Sequence, residues 1–395
     1  MNILFLSRWF PFPPDNGSKI RVYHLLKGLS QLHEVTLLSF CESPLPSPDD
    51  LKQYSGFSEI QVVPWKPFNH QSVRAGHGFL NSSPRSLIDT YSPQMEFLIR
   101  SALVKRKFHV VIASQLSMAS YYRAFQGIPA LFDEIELGLF YDQAFQDANL
   151  IKRLRSKLTW FKLQRYISRI LDSFAVGTVV SEPERKIFMD SFSRHQQKIQ
   201  VLPNCIDMKD YQNITVIPKP CHLIFSGSFR YRPNYHAMQW FIRDVYPLIL
   251  ERVPHAQLII TGDHAGLPLP SMKNVTLAGY VNDIKSLVAS CDVSIAPLWS
   301  GGGTRLKILE AMALGTPVVA TSKGAEGLLI QNGEHILIAD EPQLFAEQVI
   351  RILQDGDLGR SLSSNALYLA GEHYDWSTVL PKFFGLIDQV AAGQM

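Results

Sequence analysis

The chain has 395 residues and a mass of 44.6 kDa, a length that predicts two domains. Apolar residues make up 46% and charged residues 18%, so large cores can form and global disorder is excluded. A mean hydropathy of +0.01 is too polar for a polytopic membrane protein. The formal net charge of +3 argues against a dedicated nucleic-acid-binding protein, so we predict no nucleic-acid partner.

The cysteine pattern and the N-terminus indicate the compartment. Four cysteines without a CxxC pair do not form a disulfide scaffold, so we expect free thiols in a reducing compartment. We expect no signal peptide, because residues 1–10 begin a strand and lack a basic n-region and a small-residue cleavage site. No apolar run reaches the roughly 18 residues that a spanning helix needs. These features predict a cytoplasmic protein.

Short apolar runs alternate with helical patterns through the first half of the chain. The first run, residues 3–6, is followed by a Pro-rich loop over 11–17 and an amphipathic helix over 17–31. Near-continuous apolar strands separated by helices are typical of a parallel sheet that is covered on both faces. Further strands are predicted at 35–40, 60–64, 110–113, 130–132, 174–180 and 199–202.

A second alternation begins after a Pro-containing linker that is predicted at residues 213–220. The sequence therefore predicts an α/β protein with two doubly wound domains in tandem, and such sheets bind ligands beyond the carboxyl ends of their strands. The predicted strands are 223–226, 257–261, 275–278, 293–296 and 317–320. The predicted helices are 234–253, 283–290, 304–314, 344–353, 358–370 and 376–390.

A Gly-rich loop is the most informative stretch of the sequence. Gly301, Gly302 and Gly303 lie between a strand that ends near residue 296 and a helix that is expected to start near Thr304. Glycines let backbone N–H groups approach a ligand, and a helix N-terminus adds partial positive charge. Arg305 and Lys307 would add full charges, which suits a diphosphate. An ordinary strand–helix connection is the alternative.

Glu310 follows Lys307 by three residues on the same predicted helix, so the two side chains would share a face. This carboxylate could accept hydrogen bonds from ribose hydroxyls beside the phosphates, whereas the alternative is a solvated Lys–Glu pair. No GxxxxGK[ST] occurs, and the first strand lacks GxGxxG, which weakens a dehydrogenase interpretation. A DxD pattern at residues 355–357 lies between two late helices, where we expect a loop and no metal site.

Three acidic residues follow the strand at 130–132. Asp133, Glu134 and Glu136 are candidate catalytic residues, as groups that orient an acceptor or act as a base. The alternative is that they cap the following helix and supply its first-turn charge.

Residues 151–171 carry seven basic and no acidic side chains, with aromatic and apolar residues interleaved. This composition fits a helix that lies on an anionic lipid surface. The alternative is a solvated helix that packs on the first domain.

Four stretches resemble the retaining glycosyltransferases of family 4, which have the GT-B fold. Residues 300–328, SGGGTRLKILEAMALGTPVVATSKGAEGL, resemble the donor-binding motif, and residues 225–241, FSGSFRYRPNYHAMQWF, resemble the donor-phosphate loop. PPDNGSKIRVYHLLKGL resembles the first Gly-containing loop and helix, and VLPNCID resembles the hinge. The resemblance follows the family in order and spacing along almost the whole chain.

The resemblance implies two Rossmann-like domains that face a central cleft, with the C-terminal helix crossing back to the first domain. The implied N-terminal, acceptor-side domain is residues 1–205 with the returning helix 376–395. Residues 206–375 would bind the nucleotide-sugar donor. Asp133 stands where the family commonly has a His that faces the sugar, and Gly302 stands where it has the first Glu of E-x7-E.

The donor-site roles are likewise carried over from the resemblance. Gly17 would touch donor phosphates or the acceptor, and a backbone N–H of Gly302 or Gly303 would replace the missing Glu. The remaining implied contacts are Arg230 and Arg232 near the phosphates, Tyr280 and Val281 at the base, Thr304 and Lys307 on the diphosphate, and Glu310 on the ribose.

The implied activity is transfer of a hexosyl unit from a UDP- or GDP-type sugar to a hydroxyl of a glycan, lipid-linked or small-molecule acceptor. Such transfer would retain the anomeric configuration, need no metal or other cofactor, and serve polysaccharide biosynthesis. A nucleotide-sugar epimerase of the same fold, a non-enzymatic nucleotide-sugar-binding module and a dehydrogenase are the alternatives.

Overall fold

The computed structural model describes residues 1–42, 44–47, 49, 51, 56–78, 81–145 and 149–394. The chain divides into two compact units. Unit 1 comprises Met1–Pro203 together with the residues from Leu380 onward, and unit 2 comprises Asn204–Val379.

Unit 1 is built on a seven-stranded parallel sheet with the order β3-β2-β1-β4-β5-β6-β7. Each of the seven predicted runs forms one of its strands. The chain order reverses between β1 and β4, which makes the carboxyl ends of these strands the switch point of the sheet. The strands are β1 Asn2–Ser7, β2 Glu34–Cys41, β3 Glu59–Pro64, β4 Val110–Ser114, β5 Ala130–Asp133, β6 Val176–Val179 and β7 Ile199–Val201.

Helices flank this sheet, and the first one shows how the local sequence sets their bounds. The Asn16 side chain accepts a hydrogen bond from the backbone N–H of Lys19 and caps α1, whose buried face includes Val22 and Leu26. The helices of unit 1 are α1 Gly17–Ser30, α2 Val73–His77, α3 Arg85–Thr90, α4 Pro93–Lys105, α5 Gln115–Ala119, α6 Gly138–Phe145, α7 Leu150–Leu171 and α8 Glu182–Ser191.

Unit 2 is built on a six-stranded parallel sheet with the order β10-β9-β8-β11-β12-β13. The first strand begins at Lys219, so the predicted linker ends two residues earlier than expected. The two-residue strand β13 was not predicted. The strands are β8 Lys219–Ser226, β9 Gln257–Thr261, β10 Val275–Gly279, β11 Cys291–Ala296, β12 Val318–Ala320 and β13 Leu337–Ile338.

The helix predicted at 234–253 is interrupted by a π-helical segment, Phe241–Val245, and therefore consists of two α-helices. The helices of unit 2 are α9 Arg232–Trp240, α10 Tyr246–Arg252, α11 Ile284–Ser290, α12 Leu306–Ala313, α13 Pro342–Gln354 and α14 Gly356–Tyr374. The predicted α/β class with two doubly wound sheets is confirmed.

The last helix, α15 Trp376–Ala391, contributes its C-terminal part to unit 1. A Cβ added to Gly28 of α1 would lie 3.0 Å from side-chain atoms of both Leu380 and Phe384, so the small residue permits this close packing. All four cysteines are free, as expected. In the part of the chain that the structure describes, every helix is too short or too polar to cross a membrane.

Candidate active site

The Gly-rich loop lies at the switch point of the unit 2 sheet. Strands β8 and β11 are neighbours, and the chain winds away from them in opposite directions. The turn after β8 contains Gly227, and the loop after β11 contains the three consecutive glycines. The switch point is where doubly wound sheets bind ligands.

Two glycines allow side chains to approach the backbone here. A Cβ on Gly227 would lie 2.9 Å from Lys307 Nζ and 2.6 Å from Asn234 Nδ2. A Cβ on Gly301, whose φ is +104°, would lie 2.0 Å from Tyr231 Oη. Both positions therefore require glycine, and the turn after β8 forms a wall against which the Lys307 ammonium lies.

Lys307 is the cation that lies against this wall. Its Nζ donates to Asn234 Oδ1 at 2.9 Å and lies 4.0 Å from the ring centroid of Phe225. Burial lowers the pKa of Lys307 to about 7; the positive charge of Arg305 acts in the same direction and Glu310 opposes it. A polyanion at this point would favour the charged form of the lysine.

The role of Arg305 differs from the expected one, which was to add positive charge beside a ligand. The helix begins at Leu306, not near Thr304, and the buried Arg305 precedes it. Its guanidinium donates to the carbonyl oxygens of Gly302 at 2.8 Å and Gly301 at 2.7 Å. This arginine therefore holds the shape of the loop.

The loop carbonyls fix the direction of the adjacent N–H groups. In a trans peptide the C=O and the following N–H point in opposite directions. With the carbonyls of Gly301 and Gly302 turned toward Arg305, the N–H groups of Gly302 and Gly303 point away from the guanidinium. Neither N–H donates to a protein acceptor among the described residues.

Two further polar groups were predicted at this site. Thr304 Oγ1 is buried and finds no hydrogen-bond partner within the described residues. Tyr211 donates from its hydroxyl to Glu310 Oε1 at 3.3 Å, and burial raises the pKa of Glu310. Glu310 thus presents a carboxylate beside Lys307 on α12.

The other predicted donor-site residues lie at the rim of unit 2. Arg230 forms an ion pair with Asp263, and its side chain is 77% exposed. Arg232 is exposed at the first position of α9. Tyr280, 84% exposed, and Val281 directly follow β10, at the same carboxyl edge of the sheet.

In unit 1, the predicted acidic cluster starts at Asp133, the last residue of β5, and its three members differ sharply in environment. Asp133 is fully buried and accepts hydrogen bonds from Arg21 Nη2 at 2.6 Å and Nε at 3.0 Å. Thr178 Oγ1 donates to it at 2.8 Å. Arg21, also fully buried, donates to the Leu202 carbonyl at 3.0 Å as well. This network gives Asp133 a positioning role within the unit.

Glu134 and Gln115 form a second pair in unit 1, at the ends of neighbouring strands. Gln115 Nε2 donates to Glu134 Oε2 at 2.9 Å. Both residues have left-handed backbone conformations, with φ of +68° at Gln115 and +59° at Glu134. Residues other than glycine rarely adopt this conformation, and those that do cluster at functional sites. Burial, reinforced by the charge of Glu136, raises the pKa of the Glu134 carboxyl well above its usual range.

The helix-capping alternative for the acidic cluster is wrong. The backbone N–H groups of Leu137 and Gly138, where α6 begins, donate to the Glu184 carboxylate at 2.9 and 3.0 Å. Glu136 is exposed. Gly17 is the first residue of α1, after the loop that follows β1.

Residues 220–355 of unit 2 match the family model of glycosyl transferases group 1. We call residues 220–355 the group 1 domain, after the family model that they match. The Gly-rich loop, Lys307 and Glu310 all lie within this group 1 domain. The resemblance to glycosyltransferases is thereby confirmed.

Two curated relatives match part of the chain. An uncharacterized 44.6 kDa protein in the cps region of Klebsiella pneumoniae is 26% identical over 175 residues, 42% of this chain and 45% of the relative. Phosphatidyl-myo-inositol mannosyltransferase of Mycobacterium tuberculosis is 30% identical over 161 residues, 38% of this chain and 42% of that protein. The matches therefore span less than half of these relatives.

A solved structure shares the fold of the whole chain. The crystal structure of Anabaena HepE in complex with UDP and glucose is 14% identical, with a TM-score of 0.65 over 98% of this chain and 100% of that chain. This likeness shows the GT-B fold, with the group 1 domain as its second Rossmann-like unit.

Sequence reasoning missed the partners of the predicted residues. Arg21, Gln115 and Asn234 contact Asp133, Glu134 and Lys307 respectively. Only Arg21 left a signal in the sequence, because it occupies the apolar face of α1 next to Val22. Gln115 and Asn234 lie in the first turns of α5 and α9, where polar residues are common.

Proposed function

We propose that this protein is a glycosyltransferase that moves a hexosyl unit from a nucleotide diphosphate sugar to an acceptor hydroxyl. The observation that carries the proposal is Lys307, a desolvated lysine beside a Gly-rich loop at the switch point of the group 1 domain. Burial of a lysine charge costs free energy, so a purely structural role does not account for Lys307 at this position. A diphosphate would supply the negative charge that it lacks.

The donor contacts follow from the positions of the side chains. Lys307, Thr304 Oγ1 and the N–H groups of Gly302 and Gly303 would bind the diphosphate and the sugar, with Glu310 on the ribose. Arg230 and Arg232 at the rim would attract the polyanion. The backbone at Tyr280 and Val281 would face the base of a UDP- or GDP-type donor. The UDP type has support from HepE, which was crystallised with UDP.

The proposed reaction leaves the anomeric configuration unchanged and uses no metal. The acceptor oxygen forms a bond to the anomeric carbon on the face from which the diphosphate departs. The acceptor proton passes to the departing phosphate oxygen, so no protein nucleophile is needed. Lys307 and the aligned N–H groups stabilise the charge that develops on the leaving phosphate.

Unit 1 would hold the acceptor. Glu134, with its partner Gln115, and the exposed Glu136 are the side chains that we assign to acceptor hydroxyls, with Gly17 in the adjoining loop. Asp133 would act through Arg21 by fixing the carboxyl end of β5. We assign it no contact with the substrate, because Arg21 and Thr178 already donate hydrogen bonds to its carboxylate oxygens.

We further propose a cytoplasmic protein that contacts an anionic membrane and takes a lipid-linked acceptor. The N-terminal half of α7 exposes an apolar stripe next to the basic residues of the helix. The side chains of this stripe are between 53% and 82% exposed and belong to Leu150, Ile151, Leu154, Leu158 and Phe161. An apolar cavity of about 340 Å³ adjoins the stripe at Leu158 and is also lined by Leu116 and Phe140. The mycobacterial relative is named for a phosphatidyl-linked acceptor.

A donor screen tests the proposed activity. Saturating UDP-, GDP-, ADP- or dTDP-sugar, at 100-fold above its dissociation constant, is expected to stabilise the chain by about 2.7 kcal/mol. The stabilising donor should then release nucleoside diphosphate faster when a lipid-linked, glycan or small-molecule acceptor is added. Conversion of the sugar without release would indicate an epimerase. Stabilisation without turnover would leave a binding module, and no stabilisation would contradict donor binding.

The membrane proposal predicts binding to liposomes through the exposed stripe on α7. The wild-type chain is expected to co-sediment with vesicles that contain phosphatidylglycerol at low salt and to dissociate as salt rises. Leu154→Ser/Leu158→Ser should weaken binding about tenfold, because two apolar side chains no longer enter the interface. Val104→Ser, at an 89% exposed apolar position on α4, is the matched control. Absence of binding at low salt would refute the contact.

A further inference from the structure

A second cavity in unit 1 is lined by four arginines. It has a volume of about 590 Å³ and lies among α3, α4, the C-terminal part of α7 and the segment at residues 120–124. The arginines are Arg74, Arg100, Arg123 and Arg169, and the lining also includes Tyr122 and Tyr166. Among the described residues of this lining, Glu96 is the one that is acidic.

The charges of this cavity are only partly compensated. Arg100 forms an ion pair with Glu96 at 2.7 Å, so those two charges cancel. The other arginines contact neutral groups: Arg123 Nε donates to the Tyr122 hydroxyl at 3.1 Å, and Arg74 Nη2 donates to a backbone carbonyl at 3.2 Å. Arg169 Nη1 donates to a serine hydroxyl at 3.5 Å. Within the described residues, none of these three guanidinium groups meets a carboxylate.

The walls show that the arginines share one site. Tyr166 is buried, and the positive charges of Arg123 and Arg169 both act on its hydroxyl, although burial dominates and raises its pKa to about 12. The Arg123 guanidinium lies 5.7 Å from the ring centroid of Tyr122. Arg123 and Arg169 therefore lie close to the same tyrosine hydroxyl in a cavity that is partly lined by aromatic rings.

We propose that this cavity binds a phosphate-bearing saccharide. Arginine presents planar donors that match phosphate oxygens and form strong charge-assisted hydrogen bonds. Tyrosine rings offer an apolar body for the C–H face of a sugar and hydroxyls for its polar edge. The volume lies within the range of small-ligand sites, and a monosaccharide phosphate fits it. The site is independent of the proposed transfer reaction, because its residues are distinct from those assigned to donor and acceptor.

The test is calorimetric titration of the full chain at low ionic strength. Glucose 6-phosphate is expected to bind, inorganic phosphate to bind more weakly, and glucose to show no binding. Arg123→Gln/Arg169→Gln should weaken binding of glucose 6-phosphate at least tenfold. Arg252→Gln/Arg351→Gln, which removes two exposed charges from unit 2, should change it less than twofold. Because the four arginines that these two variants replace are exposed, the unfolding temperature of both double variants should stay unchanged.

Two results would overturn the proposal. One is the absence of glucose 6-phosphate binding at low salt, and the other is equal binding by the wild type and Arg123→Gln/Arg169→Gln. Vesicles that contain phosphatidylglycerol separate a lipid headgroup from a free phosphosugar. If the double variant loses vesicle binding but keeps glucose 6-phosphate binding, the arginines serve a lipid headgroup and the saccharide assignment is wrong.

Discussion

Replacing Lys307 with methionine is expected to weaken UDP binding about 10- to 100-fold, because one charge-assisted hydrogen bond is lost. The transfer rate should fall about 100- to 1000-fold, since the same charge stabilises the departing phosphate. The free protein should unfold at the same temperature or a higher one. Folding takes the lysine from its ordinary pKa to about 7, so its charge costs folding free energy at neutral pH. Calorimetry, initial rates and thermal unfolding measure the three quantities.

The pH dependence gives this prediction a second readout. A bound diphosphate would raise the pKa of Lys307 from about 7, so binding takes up a proton when the pH lies above 7. The ratio of UDP affinities, wild type to Lys307→Met, should therefore be largest below pH 7 and should shrink as pH rises. Lys273→Met, which changes an exposed lysine of the same unit, serves as the control. Equal affinities for wild type and Lys307→Met across this range would remove the lysine from the donor site.

Replacing Arg21 with methionine is expected to lower the free energy of unfolding of unit 1 by about 3–5 kcal/mol. The substitution leaves the Asp133 carboxylate buried without its cation. The unfolding temperature of unit 1 should fall on the order of 10 °C. Thermal and urea unfolding followed by tryptophan fluorescence measure the loss.

The exposed pair of Glu182 and Arg185 supplies the control for this substitution. Glu182→Gln in the same unit should change stability by less than about 0.5 kcal/mol, because both side chains are solvated. Arg21→Met/Asp133→Leu should recover part of the loss, since no buried charge then remains unpaired. If Arg21→Met were as mild as Glu182→Gln, the buried pair would not hold the carboxyl end of β5.

The sequence was sufficient to predict the elements whose pattern is local. All seven strands of unit 1 coincide with apolar runs, and β9 has the predicted bounds, because parallel strands buried on both faces need continuous apolar residues. The two-residue strand β13 has too short a pattern to detect. The π-helical segment after Trp240 has only five residues and lies between two α-helices, so the sequence did not reveal it.

The site was predictable in place but not in its contacts. The consecutive glycines indicated the corner of unit 2 where we propose donor binding, since their backbone freedom is visible in the sequence. The role of Arg305 was not visible, because its partners are backbone carbonyls of the loop, which any residue supplies. The pairing of Arg21 with Asp133 joins residues 112 positions apart, and only the folded sheet brings them together.

A crystal structure of the full chain with UDP tests most directly whether the glycine corner of unit 2 binds a diphosphate. We predict phosphate oxygens within about 3.2 Å of Lys307 Nζ and of the N–H groups of Gly302 and Gly303. A nucleotide bound elsewhere, with Gly301 and Lys307 facing bulk water, would contradict the assignment and leave the two-unit fold without its proposed donor site.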